Sequence, residues 1–150
     1  MTEDLDLLDK KILSILQKDA RRSYAKIARE LKVNEATIRF RVKKLVEKQV
    51  IIQFSALLNP RKIGLSITGI IMTKITPKTS QDTFNKLKKL KELLHIFQCT
   101  GKYDFLAVAN VKNMEGLEIL KEKIREISGI EEIEVLATTR LIKIEPSFEL

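Results

Sequence analysis

Three short runs of apolar residues at helical spacing occupy the first fifty positions. They predict helices over residues 5–17, 24–31 and 35–48. Ser23 and Asn34 stand directly before the second and third helices, and both residue types are favoured N-caps. Three short helices with a tight turn before the last are typical of a helix-turn-helix unit.

The remaining hundred residues show a different pattern. An apolar, β-branched stretch at residues 50–58, closed by the turn Asn59-Pro60, predicts a strand that links two domains. After it we predict strands at 66–75, 95–100, 105–111 and 133–144, with helices at 81–93 and 115–127. The order βαββαβ is typical of a ferredoxin-like fold. The chain is therefore predicted to be α+β, with a helix-turn-helix domain at 1–50, a linker strand and hinge at 51–65, and a ferredoxin-like domain at 66–150.

The predicted strands carry apolar residues on both faces, although helices in such a fold cover only one face of the sheet. In the strand at 133–144, Val135 and Ala137 alternate with Leu136 and Ile142, and the strand at 66–75 is similar. An apolar second face indicates a partner surface, and a second copy of the same sheet is the simplest partner. A symmetric dimer would place two recognition helices about one turn of DNA, or a multiple of it, apart.

Positive charge is concentrated in one stretch. The chain has 28 Lys+Arg and 20 Asp+Glu, a formal net charge of +8. Residues 21–48 hold ten basic and three acidic residues, a net of +7. Such a stretch favours contact with phosphate, in nucleic acid or less often at an anionic membrane face; a solvated, lysine-rich surface is the alternative. No apolar run is long enough to span a membrane, and the acidic N-terminus lacks the order of a secretion signal, so we expect a cytoplasmic protein.

The third helix divides into an apolar and a polar side when it is viewed around its circumference. Ile38, Val42 and Leu45 share the inward side. Because the start of a recognition helix reaches base edges, the candidate base contacts are Ala36, Thr37, Arg39 and Phe40. The candidate phosphate contacts are Ser23, Tyr24, Arg41, Lys43, Lys44 and Lys48. Two alternatives stay open: Phe40 packs against a neighbouring helix or a dimer partner, and Arg41 braces the fold.

Few residues in the chain could support catalysis or metal binding. Cys99 and His95 are the single cysteine and histidine, which argues against disulfides, zinc sites and a Ser-His-Asp triad. We expect Cys99 to pack as a small apolar residue in a strand and His95 to be structural or exposed. With no nucleophile–base pair and no phosphate-binding loop, the sequence predicts neither an enzyme nor a metal or cofactor site.

A run of lysines lies on the predicted helix at 81–93. Its members are Lys86, Lys88, Lys89 and Lys91. A solvated helix face is the ordinary interpretation of such a run, and a secondary DNA-wrapping surface is the alternative.

Several motifs in order make the chain resemble the Lrp/AsnC, or feast/famine, transcription regulators over nearly its whole length. The similar segments are Leu5-Asp6, Asp19-Ala20-Arg21, Ile27-Ala28, Asn34-x-x-Thr37-Ile38-x-x-Arg41-Val42, Asn59-Pro60, Gly101-Lys102-Tyr103-Asp104 and Thr138-Thr139. Two positions depart from the family pattern. Asn34 stands where the family mostly has Ser, and Gln49 stands where it usually has Gly, so the end of the recognition helix is expected to differ.

The resemblance implies dimers that assemble further, often to octamers, and control by an amino-acid effector bound at dimer–dimer contacts. Carried over by position, the candidate effector residues are Gly101, Tyr103, Asp104, Thr138 and Thr139. A carboxylate can pair with the ammonium group of an amino acid. Asp104 also has an ordinary interpretation, since turn aspartates often accept hydrogen bonds from nearby backbone.

The leading hypothesis is a sequence-specific regulator that binds double-stranded DNA and responds to a small molecule, with an amino acid as the expected class. An architectural protein that wraps DNA with little sequence preference is the alternative. A metabolic enzyme or small-molecule binder on a ferredoxin-like fold is a third possibility, which lacks a catalytic constellation.

Overall fold

The computed structural model describes residues 5–150, with the side chain of residue 79 left out, and it divides into two compact units. One unit comprises the chain up to Leu57 together with Lys143–Leu150, and the other comprises Leu58–Ile142. Residues 1–4, which we assigned to the helical domain, lie outside the described residues. No helix in the described range is long and apolar enough to cross a membrane.

The helical unit has the three helices that the apolar spacing predicts. They are α1 (Leu7–Lys18), α2 (Tyr24–Leu31) and α3 (Glu35–Glu47). Ser23 and Asn34 cap α2 and α3: the Ser23 hydroxyl accepts from the Lys26 N–H at 3.4 Å, and the Asn34 side chain accepts from the Ala36 N–H at 2.7 Å. Each cap satisfies a backbone donor that a helix start leaves free. Ile12, Ile27 and Ile38, one from each helix, are completely buried and form the centre of the core.

The prediction of a strand at residues 50–58 is wrong. Residues 52–59 have no regular secondary structure, and the sheet in the described part of the chain contains four strands, none of them from this segment. The apolar, β-branched composition is typical of a strand, but a strand exists only when it pairs with another, and no described strand pairs with residues 50–58. Ile52 and Leu57 are exposed as a result.

The second unit has the order βαββαβ, as predicted. Its elements are β1 (Ile67–Ile75), α4 (Ser80–Leu87), β2 (Leu93–Gln98), β3 (Phe105–Val111), α5 (Met114–Arg125) and β4 (Ile130–Ala137). The four strands form one antiparallel sheet in the spatial order β2-β3-β1-β4. Fold class and strand order are therefore those of the ferredoxin-like split fold.

The core of the second unit lies between the two helices and one face of the sheet. Phe105, Leu117 and Ile124 are almost completely buried there. Gly69, inside β1, permits the close packing of α5, because a Cβ at this position would lie 2.5 Å from Leu117 Cδ1. Helix α5 can therefore rest directly on the central strand.

Two elements end earlier than the sequence pattern predicts. The helix predicted at 81–93 ends at Leu87, because Leu93 enters the sheet as the partner of Ala109. The strand predicted at 133–144 ends at Ala137, which pairs with Gly69 near the start of β1. Beyond that point the neighbouring strand has almost ended, so the apolar residues that follow have nothing to pair with.

The C-terminal segment returns to the helical unit. The Gln17 side chain on α1 makes two hydrogen bonds to the backbone of Phe148: its Nε2 donates to the carbonyl oxygen at 3.2 Å, and its Oε1 accepts from the N–H at 2.7 Å. This pair joins residues 131 positions apart, and nothing in the local sequence pattern indicates it.

Candidate nucleic-acid interface

Helix α3 presents a polar and basic face to solvent. Ile38, Val42 and Leu45 point into the core of the helical unit, as the helical wheel predicts. All four predicted base-contact residues lie on the remaining surface, with Ala36, Arg39 and Phe40 exposed and Thr37 half-buried. The packing of α3 therefore leaves the side chains of its N-terminal half exposed and free to contact a large ligand such as duplex DNA.

Arg39 is exposed but not unconstrained. Its Nη2 donates to Glu35 Oε1 at 2.8 Å, one helical turn earlier, and its guanidinium lies 5.5 Å from the centre of the Tyr24 ring. The side chain remains 66% exposed. An exposed i,i+4 ion pair contributes only about 0.3–0.5 kcal/mol, so Arg39 can exchange Glu35 for another acceptor at small cost.

Phe40 lies on the surface with a cation over its ring. It is 53% exposed, and Lys44 Nζ lies 4.5 Å from the ring centre. Phe40 is not part of the apolar core of the described helical unit, so the alternative of packing against a helix of the same unit has no support. An exposed aromatic beside Arg39 suits contact with a thymine methyl group.

The predicted phosphate contacts fall into two groups. Lys43, Lys44 and Lys48 are exposed at the second half of α3 and its end, and Ser23 is exposed at the start of α2. Arg41, in contrast, points towards α1. Its Nη1 donates to Asp6 Oδ2 at 2.5 Å and lies 3.3 Å from both carboxylate oxygens of Asp9. Arg41 thus ties α3 to α1 and its N-cap.

The Asp6 carboxylate both caps α1 and binds the Arg41 guanidinium. Its Oδ1 accepts from the Asp9 N–H at 2.8 Å and caps α1, while Oδ2 holds Arg41. The hydrogen bond from the Asp9 backbone, aided by Arg41, lowers the pKa of Asp6 below its ordinary value, and the Asp6 carboxylate raises the pKa of Arg41. Sequence reasoning missed Asp6 and Asp9 as partners of Arg41, although the excess of acids before residue 20 was a signal.

Loss of the Asp6 charge is expected to weaken the helical unit except in acid. Asp6→Asn keeps a capping side chain and removes one of the two carboxylate charges beside Arg41. Because the pKa of Asp6 is lower in the folded chain, its contribution is present above the unfolded pKa, about 3.8, and is lost as the pH falls through the folded pKa. Thermal unfolding from pH 7 to pH 2 should show a Tm deficit of a few degrees that begins to shrink near pH 3.8 and vanishes as the pH falls through the lower folded pKa.

Glu47→Gln provides the control for this experiment. It removes an exposed i,i+4 pair with Lys43, at 3.6 Å, from the same unit. We expect a much smaller effect on Tm from this variant. An equal deficit in both variants, or a deficit for Asp6→Asn that persists in strong acid, contradicts the assigned role of Asp6.

The loop before β3 holds three of the five candidate effector residues. Gly101 has a φ of +116°, a conformation that favours glycine. The Tyr103 hydroxyl donates to the Glu134 carboxylate on β4. Asp104 Oδ2 accepts from the Ile75 N–H at 2.9 Å, beside the bulge that ends the regular pairing of β1 with β4. The Asp104 side chain therefore accepts a backbone hydrogen bond, as turn aspartates often do, but the donor belongs to β1 and not to its own turn.

The other two candidates lie at the opposite end of the sheet. The Thr138 N–H donates to the Thr68 carbonyl at 2.8 Å, near the start of β1. The Asp104 N–H donates to the Thr73 carbonyl at 2.9 Å, near its end. Five residues of strand separate these two points, which corresponds to about 17 Å. Within one chain the structure does not bring Asp104 and Thr138 together.

Cys99 and His95 take no part in either site. Cys99 lies one residue beyond β2 and is half-buried, so the prediction that it lies within a strand is wrong: β2 begins at Leu93 and ends earlier than expected. His95 is exposed on β2, where its ring stacks on Phe97 with 6.1 Å between ring centres. Across residues 5–150 there is no group of three or more side chains suited to hold a metal ion.

The sheet face that carries no helix has an apolar centre. Its apolar residues, called the open face below, are Ile70, Met72, Phe97, Leu106, Val108 and Leu136. Around them, on the same side of the sheet, lie Thr68, Lys74, His95, Asn110, Glu132 and Glu134. Ile70 lies at the centre, with Val108 opposite on β3 and Leu136 opposite on β4. Phe97 and Leu136 are about half exposed. The second apolar face predicted from the strand patterns is thus present, although shortened by the early end of β4.

A capped three-helix unit with a basic third helix, followed by a ferredoxin-like α+β unit, defines a two-domain DNA-binding transcription regulator. The comparison with family models agrees: residues 5–46 match the AsnC-type helix-turn-helix domain, and residues 67–148 match the Lrp/AsnC ligand binding domain. The chain belongs to the Lrp/AsnC family of transcription regulators.

Curated relatives are similar over nearly the whole chain. An HTH-type transcriptional regulator from Methanocaldococcus jannaschii is 40% identical over 140 residues, which cover 93% of this chain and 95% of the relative. The HTH-type transcriptional regulator FL11 from Pyrococcus furiosus is 35% identical over 127 residues, 85% of this chain and 84% of the relative. The relatives are regulators of transcription, which assigns the chain to that class and not to the enzymes.

Solved structures share the fold. AsnC of E. coli superposes with a TM-score of 0.87 at 26% identity, covering 95% of this chain and 97% of that one. A transcriptional regulator from Neisseria meningitidis, crystallised as an L-Met complex, superposes with a TM-score of 0.89 at 23% identity and 97% coverage of both chains. The arrangement of helices and strands described above is therefore the family's arrangement.

Proposed function

We propose that this protein is a sequence-specific transcription regulator that inserts α3 into the major groove and responds to an amino acid. The observation that carries the proposal is the exposed N-terminal half of α3, where Arg39 and Phe40 lie on a basic surface. In this proposal residues 1–50 bind DNA, residues 51–65 act as a hinge, and residues 66–150 sense the effector and assemble the oligomer. Its proposed place of action is the cytoplasm, in keeping with a DNA-binding regulator.

Base and phosphate contacts divide along α3 in this proposal. Ala36, Thr37, Arg39 and Phe40 meet base edges. Lys43, Lys44 and Lys48, together with the N-terminal N–H groups of α2 at Ser23 and Tyr24, meet phosphates. Arg41 acts mainly by orienting α3 through Asp6 and Asp9, because its guanidinium already lies against both carboxylates.

The proposed partner of the open face is a second copy of this chain. The open face has residues from all four strands, and at its centre Ile70 lies opposite Val108 and Leu136, with no charged side chain at either position. Two such sheets packed face to face bury each other's apolar residues and place two copies of α3 in a symmetric pair. The resemblance to the family supports further assembly, with an octamer as the expected form.

The proposed effector is an amino acid bound between chains. The ligand-binding domain match supports a small-molecule effector, and the L-Met complex of the Neisseria regulator supports an amino acid as its class. Asp104 and Thr138 are about 17 Å apart along β1, too far for one amino acid to touch both. A site that uses all five candidate residues must therefore take the Gly101–Asp104 loop from one copy and Thr138 and Thr139 from another.

Selection of bound duplexes from a random DNA pool at moderate salt tests the DNA-binding proposal. We expect a pseudo-palindrome with half-sites about one turn, or a multiple of it, apart. Binding without a consensus contradicts sequence-specific regulation and supports an architectural protein. Failure to bind duplex DNA, with or without each of the twenty amino acids, overturns the proposal.

Asp104 variants test the effector proposal. We expect Asp104→Ala to leave the apparent Kd for operator DNA within about twofold and to abolish the shift that an amino acid causes in the wild type, because the carboxylate pairs with the effector ammonium. The measurement is the apparent Kd with each of the twenty amino acids in turn.

Asp104→Asn separates binding from backbone support. An asparagine oxygen still accepts from the Ile75 N–H, whereas the charge is gone. Loss of the response in both variants supports the charge pairing. A response that survives in Asp104→Asn but not in Asp104→Ala shows that Asp104 only shapes the end of β1, and no response in the wild type removes the amino-acid effector.

A further inference from the structure

Helix α4 and the turn after it carry positive charge that the fold does not neutralise. Lys86, Lys88, Lys89 and Lys91, called the lysine patch below, are all exposed. None of the four forms an ion pair with another residue in the part of the chain that the structure describes. The adjoining acid, Glu92, turns instead to Lys123 on α5, at 2.9 Å. The hydrogen bond from Lys123 is the largest cause of the lowered pKa of Glu92, and the charge of Lys91 contributes less, so Glu92 is engaged mainly away from the patch.

On helix α5, unlike on α4, the basic side chains are paired with acidic ones. Its basic residues Lys121, Lys123 and Arg125 all have acidic partners, at 3.4, 2.9 and 2.9 Å respectively. Both helices cover the same face of one sheet, so they differ in surface charge and not in the side of the sheet that they cover. The lysine patch is therefore not a general feature of the surface of this unit.

The patch contains like charges at neighbouring positions. Lys86 lies in the last turn of α4, and Lys88, Lys89 and Lys91 follow in the turn after it, so four like charges fall within six residues and repel one another. The macrodipole at the end of α4 offsets part of this repulsion for Lys86, the member of the patch that lies inside the helix. An external polyanion would neutralise the remainder.

We propose that the lysine patch binds the phosphate backbone of duplex DNA flanking the operator, as a second contact separate from α3. The inference rests on the proposed function, since it takes the regulator's own DNA as the polyanion. An anionic membrane is a poorer partner, because surface-binding helices insert apolar side chains and those of this segment, Phe84, Leu87 and Leu90, pack against the core.

The test compares two duplexes and two triple variants. The short duplex holds only the two selected half-sites, and the long duplex adds flanking DNA of random sequence on both sides. The patch variant is Lys88→Gln/Lys89→Gln/Lys91→Gln. The control, Lys112→Gln/Lys121→Gln/Arg125→Gln, removes the same charge from the α5 side of the unit and leaves the Lys123–Glu92 pair in place. The apparent Kd is measured against salt concentration for all three proteins.

We expect wild type to show a steeper salt dependence on the long duplex than on the short one. The patch variant, which keeps only Lys86 of the four lysines, should lose most of this difference, since each phosphate contact contributes about 0.9 to the slope of log K against log salt, or about 2.7 per protomer for three lysines. Its slope on the short duplex should stay that of wild type, and the control variant should behave as wild type on both.

The contrary results are distinct. Wild type that binds the short duplex but gains nothing from flanking DNA overturns the lysine patch and leaves the proposed function standing. If the patch and control variants lose the same amount of salt slope on the long duplex, the effect is one of diffuse charge and the proposal is overturned. If the wild-type protein binds phosphatidylserine vesicles and flanking DNA has no effect, the partner is a membrane and the proposal is again overturned. Wild type that binds neither duplex overturns the patch together with the proposed function.

Discussion

Ile70→Glu is expected to convert the protein to a monomer. Ile70 lies at the centre of the open face, between Val108 and Leu136. A second sheet packed on this face would enclose the new carboxylate in an apolar environment, where an unpaired charge costs several kcal/mol. Sedimentation equilibrium should show a dimer or larger assembly for wild type and a monomer for the variant.

The same change should reduce operator binding strongly. Two linked recognition helices gain affinity because the second half-site is bound at high effective concentration, a gain of about 10²–10⁴-fold. The monomer loses this gain, so we expect its apparent Kd for a two-half-site operator to rise at least about 100-fold. The salt concentration must be the same for both proteins.

Ile119→Glu is the matched control. Ile119 is 50% exposed on α5, in the same unit but away from the open face, so the same substitution there should leave assembly and DNA binding unchanged. If Ile70→Glu does not fold, as judged by circular dichroism, Leu136→Glu probes the same face from an exposed position on β4. A folded Ile70→Glu or Leu136→Glu protein that remains dimeric refutes the open face as the dimer interface.

Arg39→Ala is expected to erase preference at one base pair of each half-site. Arg39 is the exposed cation in the N-terminal half of α3, and arginine can donate two hydrogen bonds to O6 and N7 of guanine. The cost at the preferred base should be about 1–3 kcal/mol, which is roughly a 5–150-fold rise in Kd. Operators already altered at that base pair should bind the variant as well as they bind wild type.

Lys43→Ala provides the contrast for Arg39. Lys43 is exposed at the second half of α3, where the proposal assigns a phosphate contact. Its removal should weaken binding to all operators equally and reduce the salt slope by about 0.9. The pair is measured by competition against a panel of single-base operator variants. If Arg39→Ala weakens all operators equally, Arg39 contacts a phosphate and the proposed base contact is wrong.

Much of the fold follows from local signals in the sequence. Ser23 and Asn34 start their helices where predicted, because an N-cap acts on backbone groups two or three residues away. The stripe of Ile38, Val42 and Leu45 identifies the buried side of α3, since helical periodicity is local as well. The base-contact and effector residues stay predictions, which the experiments above address.

The chain by itself determined the class of protein, the order of its elements and which side of α3 faces solvent, because caps and hydrophobic periods act over a few residues. Tertiary structure decided what depends on distant pairing. It ended β4 at Ala137 where its partner strand runs out, left residues 52–59 without a strand, and turned Arg41 to Asp6, 35 residues away. It also placed Asp104 and Thr138 about 17 Å apart, since antiparallel pairing puts them at opposite ends of β1.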